Sequence, residues 1–141
     1  MVIRRTLPEE DYSLVIRTDF SDDEAWAMVC RLIKMPRTRY RFQARVECIS
    51  DATCEGLTPA EIRSILPPNS RESFVFLVDS EAIIRPDHPV LVVDLHEEPG
   101  RTFRVIPSEA WGVENNLSLS NMDFEDFAGS VDDDGVFRGF P

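Results

Sequence analysis

The chain is poor in the residues that most catalytic and metal-binding motifs require. It has two histidines, three cysteines and six glycines among 141 residues. Neither a Walker loop nor a G-x-G-x-x-G fingerprint occurs, which excludes nucleotide binding by those routes. No G-x-S-x-G segment accompanies His88 or His96, so a Ser-His-Asp hydrolase is not expected. The sequence therefore predicts no cofactor and no catalytic residue, and it favours a protein that is not an enzyme.

Positive charge is also scarce. The 15 lysines and arginines face 26 acidic residues, giving a net charge of −11, and Lys34 is the single lysine. A field of this sign opposes binding to nucleic acid and to anionic membranes, which need a positive surface. No apolar run approaches the length that spans a bilayer, and the stretch MVIRRTLPEEDY lacks the apolar segment of a signal peptide. We therefore expect a cytoplasmic protein that binds neither nucleic acid nor membrane.

The apolar pattern predicts several strands within one domain. A chain of 141 residues can bury a core of its own, so we expect a single domain over residues 1–141, with residues 1–11 loosely held. The continuous apolar runs at 74–78 and 90–93 are typical of central strands buried on both faces. The strict alternation over 40–49 predicts a strand with one solvated face near the edge of a sheet.

Capping residues mark the beginnings of the predicted helices. Ser21 and Glu24 form the S-x-x-E capping box of a helix over 22–34. Thr58, Pro59 and Glu61 begin a short second helix that ends before the next pair of prolines.

Two further signals complete the predicted order of elements. Apolar residues at helical spacing predict a last helix from 121 or 122 to 131, capped by Ser120 or Asn121. Pro99 and Gly100 are typical of a type II turn and predict a hairpin. The order β-α-β-α-β-β-β-α indicates an α/β fold, with α+β as the alternative, in which helices pack on a single mixed sheet.

Acidic residues follow three strands that the pattern predicts to be parallel. Asp19, Asp51 and Asp79 each come after one of them, and the carboxyl ends of parallel strands meet at one edge, where ligands bind. Carboxylates at such an edge could hold Mg²⁺ and support phosphate chemistry. Acids at helix N-termini also cap amides and complement the helix dipole, and this local role is favoured. The candidate set at this edge is Arg17, Asp19, Asp22, Asp23 and Asp79.

A second acidic region lies near the end of the chain. No basic residue occurs between Arg104 and Arg138, and Phe124 and Phe127 give this region an apolar inner face. An acidic helix can simply be solvated, or it can dock a basic protein whose approach is steered by charge. The candidate interaction face consists of Glu114, Asn115, Asn116, Asp123, Glu125 and Asp126.

The cysteines show no recognisable motif. Cys30 falls on the apolar side of the first predicted helix, which indicates core packing. Cys48 and Cys54 have no second pair at the spacing of a zinc site. The sequence therefore assigns them no chemistry.

Long segments of the chain resemble an uncharacterised family of small acidic proteins from actinobacteria and some fungi, described as a domain of unknown function. The likeness is carried by RTDFSDDEAW at 17–26, HPVLVVDLHEEPGRTFRVIPSEAW at 88–111 and VENNLSLSNMDFEDFA at 113–128. It runs from about Leu14 to Phe140 and implies a single domain with no catalytic residues to transfer. The segment NMDFEDFA also resembles the C-terminal region of some immunity proteins.

Two functions follow from the sequence. The first is a non-catalytic binding protein, immunity-like or regulatory, that uses an acidic face against a basic protein partner. The alternative is a metal-dependent, phosphate-handling enzyme built on carboxylates at the carboxyl edge of the sheet. The predicted strand at 40–49 and the hairpin also offer edges for self-association, and the sequence leaves the oligomeric state open.

Overall fold

The computed structural model of the protein describes residues 2–37 and 42–141. The strands are β1 (Ser13–Arg17), β2 (Val46–Ile49), β3 (Phe74–Val78), β4 (Val90–Asp94), β5 (Thr102–Val105) and β6 (Val136–Phe137). The helices are α1 (Asp23–Lys34), α2 (Ile62–Ile65), α3 (Ser80–Ile84), α4 (Ala110–Ser118) and α5 (Phe124–Ala128). Short 3₁₀ turns at Ala52–Cys54, Pro59–Glu61 and Pro107–Glu109 complete the regular structure of the described residues.

The strands form one mixed sheet in the order β2-β1-β3-β4-β5-β6. β1 pairs in parallel with both β2 and β3, whereas β4 is antiparallel to β3 and to β5. The two continuous apolar runs become β3 and β4 at the centre of the sheet, where all five residues of β3 are buried. The predicted α/β fold with a single mixed sheet and helices packed around it is confirmed.

Apolar side chains cover both faces of the sheet. On one face, Val15, Phe76 and Val92 belong to a cluster that includes residues of α1, α3, α4 and α5. On the other face, Leu14 and Val75 pack against α2, the 3₁₀ turn at Ala52–Cys54 and the amino-terminal segment. Adjacent strand residues fall in opposite clusters because successive side chains of a strand point to opposite faces.

Several local predictions are confirmed. Thr58 and Glu61 form the predicted capping box, and the short helix that follows ends at Ile65. Gly100 has a φ of 96° and the Arg101 amide donates to the Glu98 carbonyl, which closes the predicted turn between β4 and β5.

Other predicted boundaries are wrong. The side chain of Asp22, not Ser21, accepts from the Ala25 amide and begins α1 at residue 23. The last helix covers only Phe124–Ala128 and is capped by Asp123. Both errors arise because Ser, Asn and Asp are equivalent capping residues in sequence, so neighbours compete for the same position.

The strand predicted over 40–49 is shorter than expected. Residues 40 and 41 lie outside the described residues, 42–45 contain only a bridge to Arg37, and β2 begins at Val46. Its position at the edge of the sheet is as predicted. Glu47, on the side predicted to be solvated, is buried because Thr6 and Leu7 of the amino-terminal segment donate to its carboxylate.

The predicted order of elements also lacks α3, α4 and β6. α4 lies between the predicted hairpin and the last predicted helix, and its asparagines satisfy their own amides within the helix. Asn115 Nδ2 donates to the Trp111 carbonyl and Asn116 Nδ2 to the Gly112 carbonyl. No helix in the described part of the chain is long and apolar enough to cross a membrane.

Candidate functional site

The carboxyl edge of the sheet is occupied by internal ion pairs. Asp79 caps α3 through the Ala82 amide and also binds Arg104 through both oxygens, with Nη1 3.0 Å from Oδ1 and Nη2 2.7 Å from Oδ2. Arg104 also contacts Glu81. Burial would lower the pKa of Arg104, but the hydrogen bond to Asp79 and the two carboxylate charges raise it instead. Both oxygens of Asp79 are therefore used in contacts within the fold.

Arg17 organises the start of α1 from the same edge. Its side chain is buried, its Nε donates to the Asp19 carbonyl at 2.9 Å, and its Nη2 lies 2.7 Å from Asp23 Oδ1. The guanidinium also lies over the ring of Phe20, 4.4 Å from its centroid, and 5.5 Å from that of Trp26. Such a planar cation both stacks and binds carboxylate.

The remaining acids of this edge are each used locally. Asp19 accepts from the hydroxyl and the amide of Ser21, and these bonds lower the pKa of the Asp19 carboxyl. Asp22 caps α1, and Asp51 caps the turn at Ala52–Cys54. Within residues 2–37 and 42–141, no group of three or more His, Cys, Asp or Glu side chains is placed to hold a metal ion. The five predicted edge residues thus lie at one edge without forming a ligand set.

The predicted acidic face is divided by the fold. Asp123, Glu125 and Asp126 are exposed on α5, where Glu125 contacts Arg101 and Asp126 accepts from the Asp123 amide. Glu114 is 4% exposed and points away from that surface, with Oε2 3.0 Å from Ser13 Oγ. Arg101 thus supplies a positive charge beside a segment that contains no basic residue of its own.

A cavity of about 720 Å³ opens at the opposite, amino edge of β1 and β3. Five acidic residues and two arginines line it, so its wall is negative overall. Arg45 turns its guanidinium over the ring of Tyr12, 5.6 Å from the centroid. The charged lining residues are Glu9, Glu10, Asp11, Glu72, Glu114, Arg45 and Arg71.

Two carboxylates at the wall of this cavity are buried. Glu72 contacts Arg5, and burial together with the nearby Glu9 and Glu114 raises the pKa of the Glu72 carboxyl despite that ion pair. Glu114 accepts from Ser13 Oγ and from the Arg45 backbone amide at 2.8 Å. Both of these donors are neutral, and no ion pair to Glu114 occurs in the part of the chain that the structure describes. A buried carboxylate without a cation is costly.

A second cavity of about 150 Å³ adjoins the first, because Ser73 and Phe74 line both. Asp94, Glu97 and Asp123 contribute its acids. We call the acidic lining of the two cavities the amino-edge surface: Glu9, Glu10, Asp11, Glu72, Asp94, Glu97, Glu114 and Asp123. It contains Glu114 and Asp123 of the predicted face, and Asn115 also lines the larger cavity.

The sequence missed most of this surface because its members come from distant segments. Asp94 and His96, which the sequence places close together, are not a catalytic pair: Asp94 accepts from the backbone amides of His96 and Glu98 and so shapes the hairpin turn. No sequence signal distinguishes Glu72 from a solvated acid, because its burial depends on Arg5, 67 positions away.

The comparison with protein families gives one result. A family model described as "Domain of unknown function (DUF6924)" matches residues 12–140. No curated protein matches the chain.

Proposed function

The chain belongs to this family of domains of unknown function, and from that premise we propose that it is a non-catalytic binding protein, immunity-like or regulatory, whose amino-edge surface binds a basic protein partner. The observation that carries the proposal is Glu114. This buried carboxylate lines a large open cavity, and among the described residues its hydrogen-bond donors are neutral. A guanidinium or ammonium group entering the cavity would supply the missing counter-charge.

The rim of the cavity supports the same ligand chemistry. Glu10 and Asp11 are exposed, and among the described residues neither side chain takes part in a hydrogen bond or an ion pair. Glu97 at the adjoining cavity is also exposed, and among the described residues its side chain takes part in no hydrogen bond or ion pair. Uncompensated charges of one sign attract an oppositely charged protein over distances of about 8–10 Å at physiological salt. Exposed acids would then speed the encounter, and buried ones would select the cation.

The charge of the whole chain favours the same class of partner. With a net charge of −11, the protein repels nucleic acid and attracts positively charged proteins. At the carboxyl edge, by contrast, Arg17 pairs with Asp23, and Arg104 pairs with Asp79 and Glu81. Asp23 and Asp79 thus have a cationic partner, whereas Glu114 has none among the described residues.

The proposal is tested by affinity capture from the source cells, with a pair of variants of matched charge. Glu10→Gln/Asp11→Asn removes two charges from the amino-edge surface without touching a described contact. Glu24→Gln/Glu55→Gln removes two exposed charges elsewhere and is the control.

The expected result is a basic protein that the wild type and the control retain at low salt and release at high salt. Loss of two rim charges should weaken its binding by about twofold to thirtyfold, since each exposed pair contributes about 0.2–1 kcal/mol. Equal retention by both double variants, or no retained protein at low salt, would contradict the proposal.

A further inference from the structure

Two of the three cysteines meet between α1 and the edge strand. Cys48 lies opposite Val15 in the register of β2 and β1, and it packs against the same core cluster as Val15, Val29 and Ile33. Val29 and Ile33 belong to α1, and Cys30 stands between them in that helix. The topology therefore brings Cys30 and Cys48 to one interface, although 17 residues separate them along the chain.

The two thiol groups are neighbours at this interface. Each thiol lies within hydrogen-bonding reach of the other. Both cysteines are free, and neither residue is fully buried. Cys54 is fully buried in the cluster on the other face of the sheet, where it has neither of these partners.

The surroundings of the pair favour one thiolate. The hydrogen bond from the Cys30 thiol lowers the pKa of Cys48, although burial opposes this effect, and the charge of Lys34 acts in the same direction. Glu47 acts against it. The pKa of Cys30 is raised because its thiol donates to Cys48 and because it is buried. This pattern favours Cys48 as the attacking sulfur and Cys30 as the thiol that resolves it.

We propose that Cys30 and Cys48 are a modification site at which a hydroperoxide converts two thiols into an intramolecular disulfide. The Cys48 thiolate attacks the peroxide O–O bond, forming a sulfenic acid and, with hydrogen peroxide, releasing hydroxide. The Cys30 sulfur then attacks the sulfenic sulfur, an S–S bond forms, and the sulfenic oxygen leaves as water with the Cys30 proton. Hydroxide takes up the proton first lost from Cys48, so two thiols and one peroxide give one disulfide and two waters.

The disulfide would join α1 covalently to the edge strand β2. Both elements also contact the core beneath α4, which carries Glu114. The proposal stands independently of the proposed partner, because it concerns only the thiols of the free chain.

The test compares native and urea-unfolded protein, each fully reduced and then exposed to equal hydrogen peroxide. Remaining thiols are alkylated, and intact mass and disulfide-linked peptides are measured. In the native protein we expect a disulfide, seen as the loss of two hydrogen masses and as a linked peptide that contains Cys30 and Cys48. This disulfide should form at least tenfold faster in the native than in the unfolded protein. Cys54→Ser should behave as the wild type, whereas Cys30→Ser should accumulate oxygen additions at Cys48.

Each remaining outcome overturns the proposal. Equal rates in native and unfolded protein would mean that the fold does not prepare the pair. A linked peptide containing Cys54, or oxygen additions without a linked peptide in the native wild type, would assign the chemistry to other sulfurs. Because the comparison uses wild-type protein, it holds even where a serine variant is unstable.

Discussion

The hydroxyl of Ser13 lies 3.0 Å from a carboxylate oxygen of Glu114, 101 positions later in the chain. This bond joins the first residue of β1 to the middle of α4 and places a buried carboxyl group at the wall of the cavity of about 720 Å³. Because the second oxygen accepts from the Arg45 backbone amide, the carboxylate is held between β1 and the segment that leads into β2. Its orientation is fixed before any partner binds.

The pair of Asp79 and Arg104 should contribute measurably to stability. Asp79→Asn keeps a side chain that can cap α3 but loses the charged, two-point contact with Arg104. We expect a loss of about 2 kcal/mol in the free energy of unfolding, because Arg104 is left partly buried without its main counter-charge. Urea denaturation measures this loss. The control Asp134→Asn removes an exposed acid 3.9 Å from Arg85 and should change stability by less than about 0.5 kcal/mol; equal losses would contradict the account.

The buried carboxylate of Glu47 should make stability depend on acid pH. Hydrogen bonds from Thr6 and Leu7 lower its pKa below the ordinary 4.5, although burial alone would raise it. A carboxyl whose pKa is lower in the folded than in the unfolded state stabilises the fold above the unfolded value, and this contribution is lost as pH falls through the folded value. Glu47→Gln should therefore be less stable than the wild type at pH 7, and the difference should shrink well below pH 4.5.

Unfolding free energies at the two pH values check this sign. Glu55→Gln is the control, because Glu55 is exposed and its side chain makes no described contact. A difference between Glu47→Gln and the wild type that stays constant or grows in acid would show that the carboxylate is not held in its charged form.

Alanine substitutions at two glycines should change the stability of the protein in opposite directions. Gly100 has a φ of 96° in the β4–β5 turn, a conformation that side chains disfavour, so Gly100→Ala should destabilise the protein by about 1 kcal/mol or more. Gly112 lies in α4 with open space around its Cα, and Gly112→Ala should stabilise the protein by up to about 1 kcal/mol. Thermal unfolding of both variants measures the shifts. Shifts of the same sign would contradict the described backbone.

Features determined by neighbouring residues could be predicted from the sequence. The capping box of Thr58 and Glu61 and the turn at Gly100 involve residues three or four positions apart. The apolar runs of β3 and β4 need no partner to be recognised as buried. The fold class followed from these signals and from the alternation of strands and helices.

What the sequence missed depends on contacts between distant segments. Glu114 is indistinguishable from a solvated acid until Ser13 and Arg45 come beside it. Arg101 from the hairpin neutralises Glu125, in a region where the sequence shows no basic residue. Asn115 favours turns by propensity, yet its amide is satisfied inside α4. Burial and charge compensation are tertiary properties, and they decide which acids remain available for binding.

The proposed function requires that cationic groups bind at the amino-edge surface. Its most direct test is a ¹H–¹⁵N NMR titration of the protein with an arginine-rich peptide at low salt. We expect saturable shifts at the amides around the two cavities, including Asp11, Ser73 and Ser118, which vanish at high salt and weaken in Glu10→Gln/Asp11→Asn. Shifts centred on the carboxyl edge around Asp19 and Asp79, or the same shifts in that double variant, would contradict it.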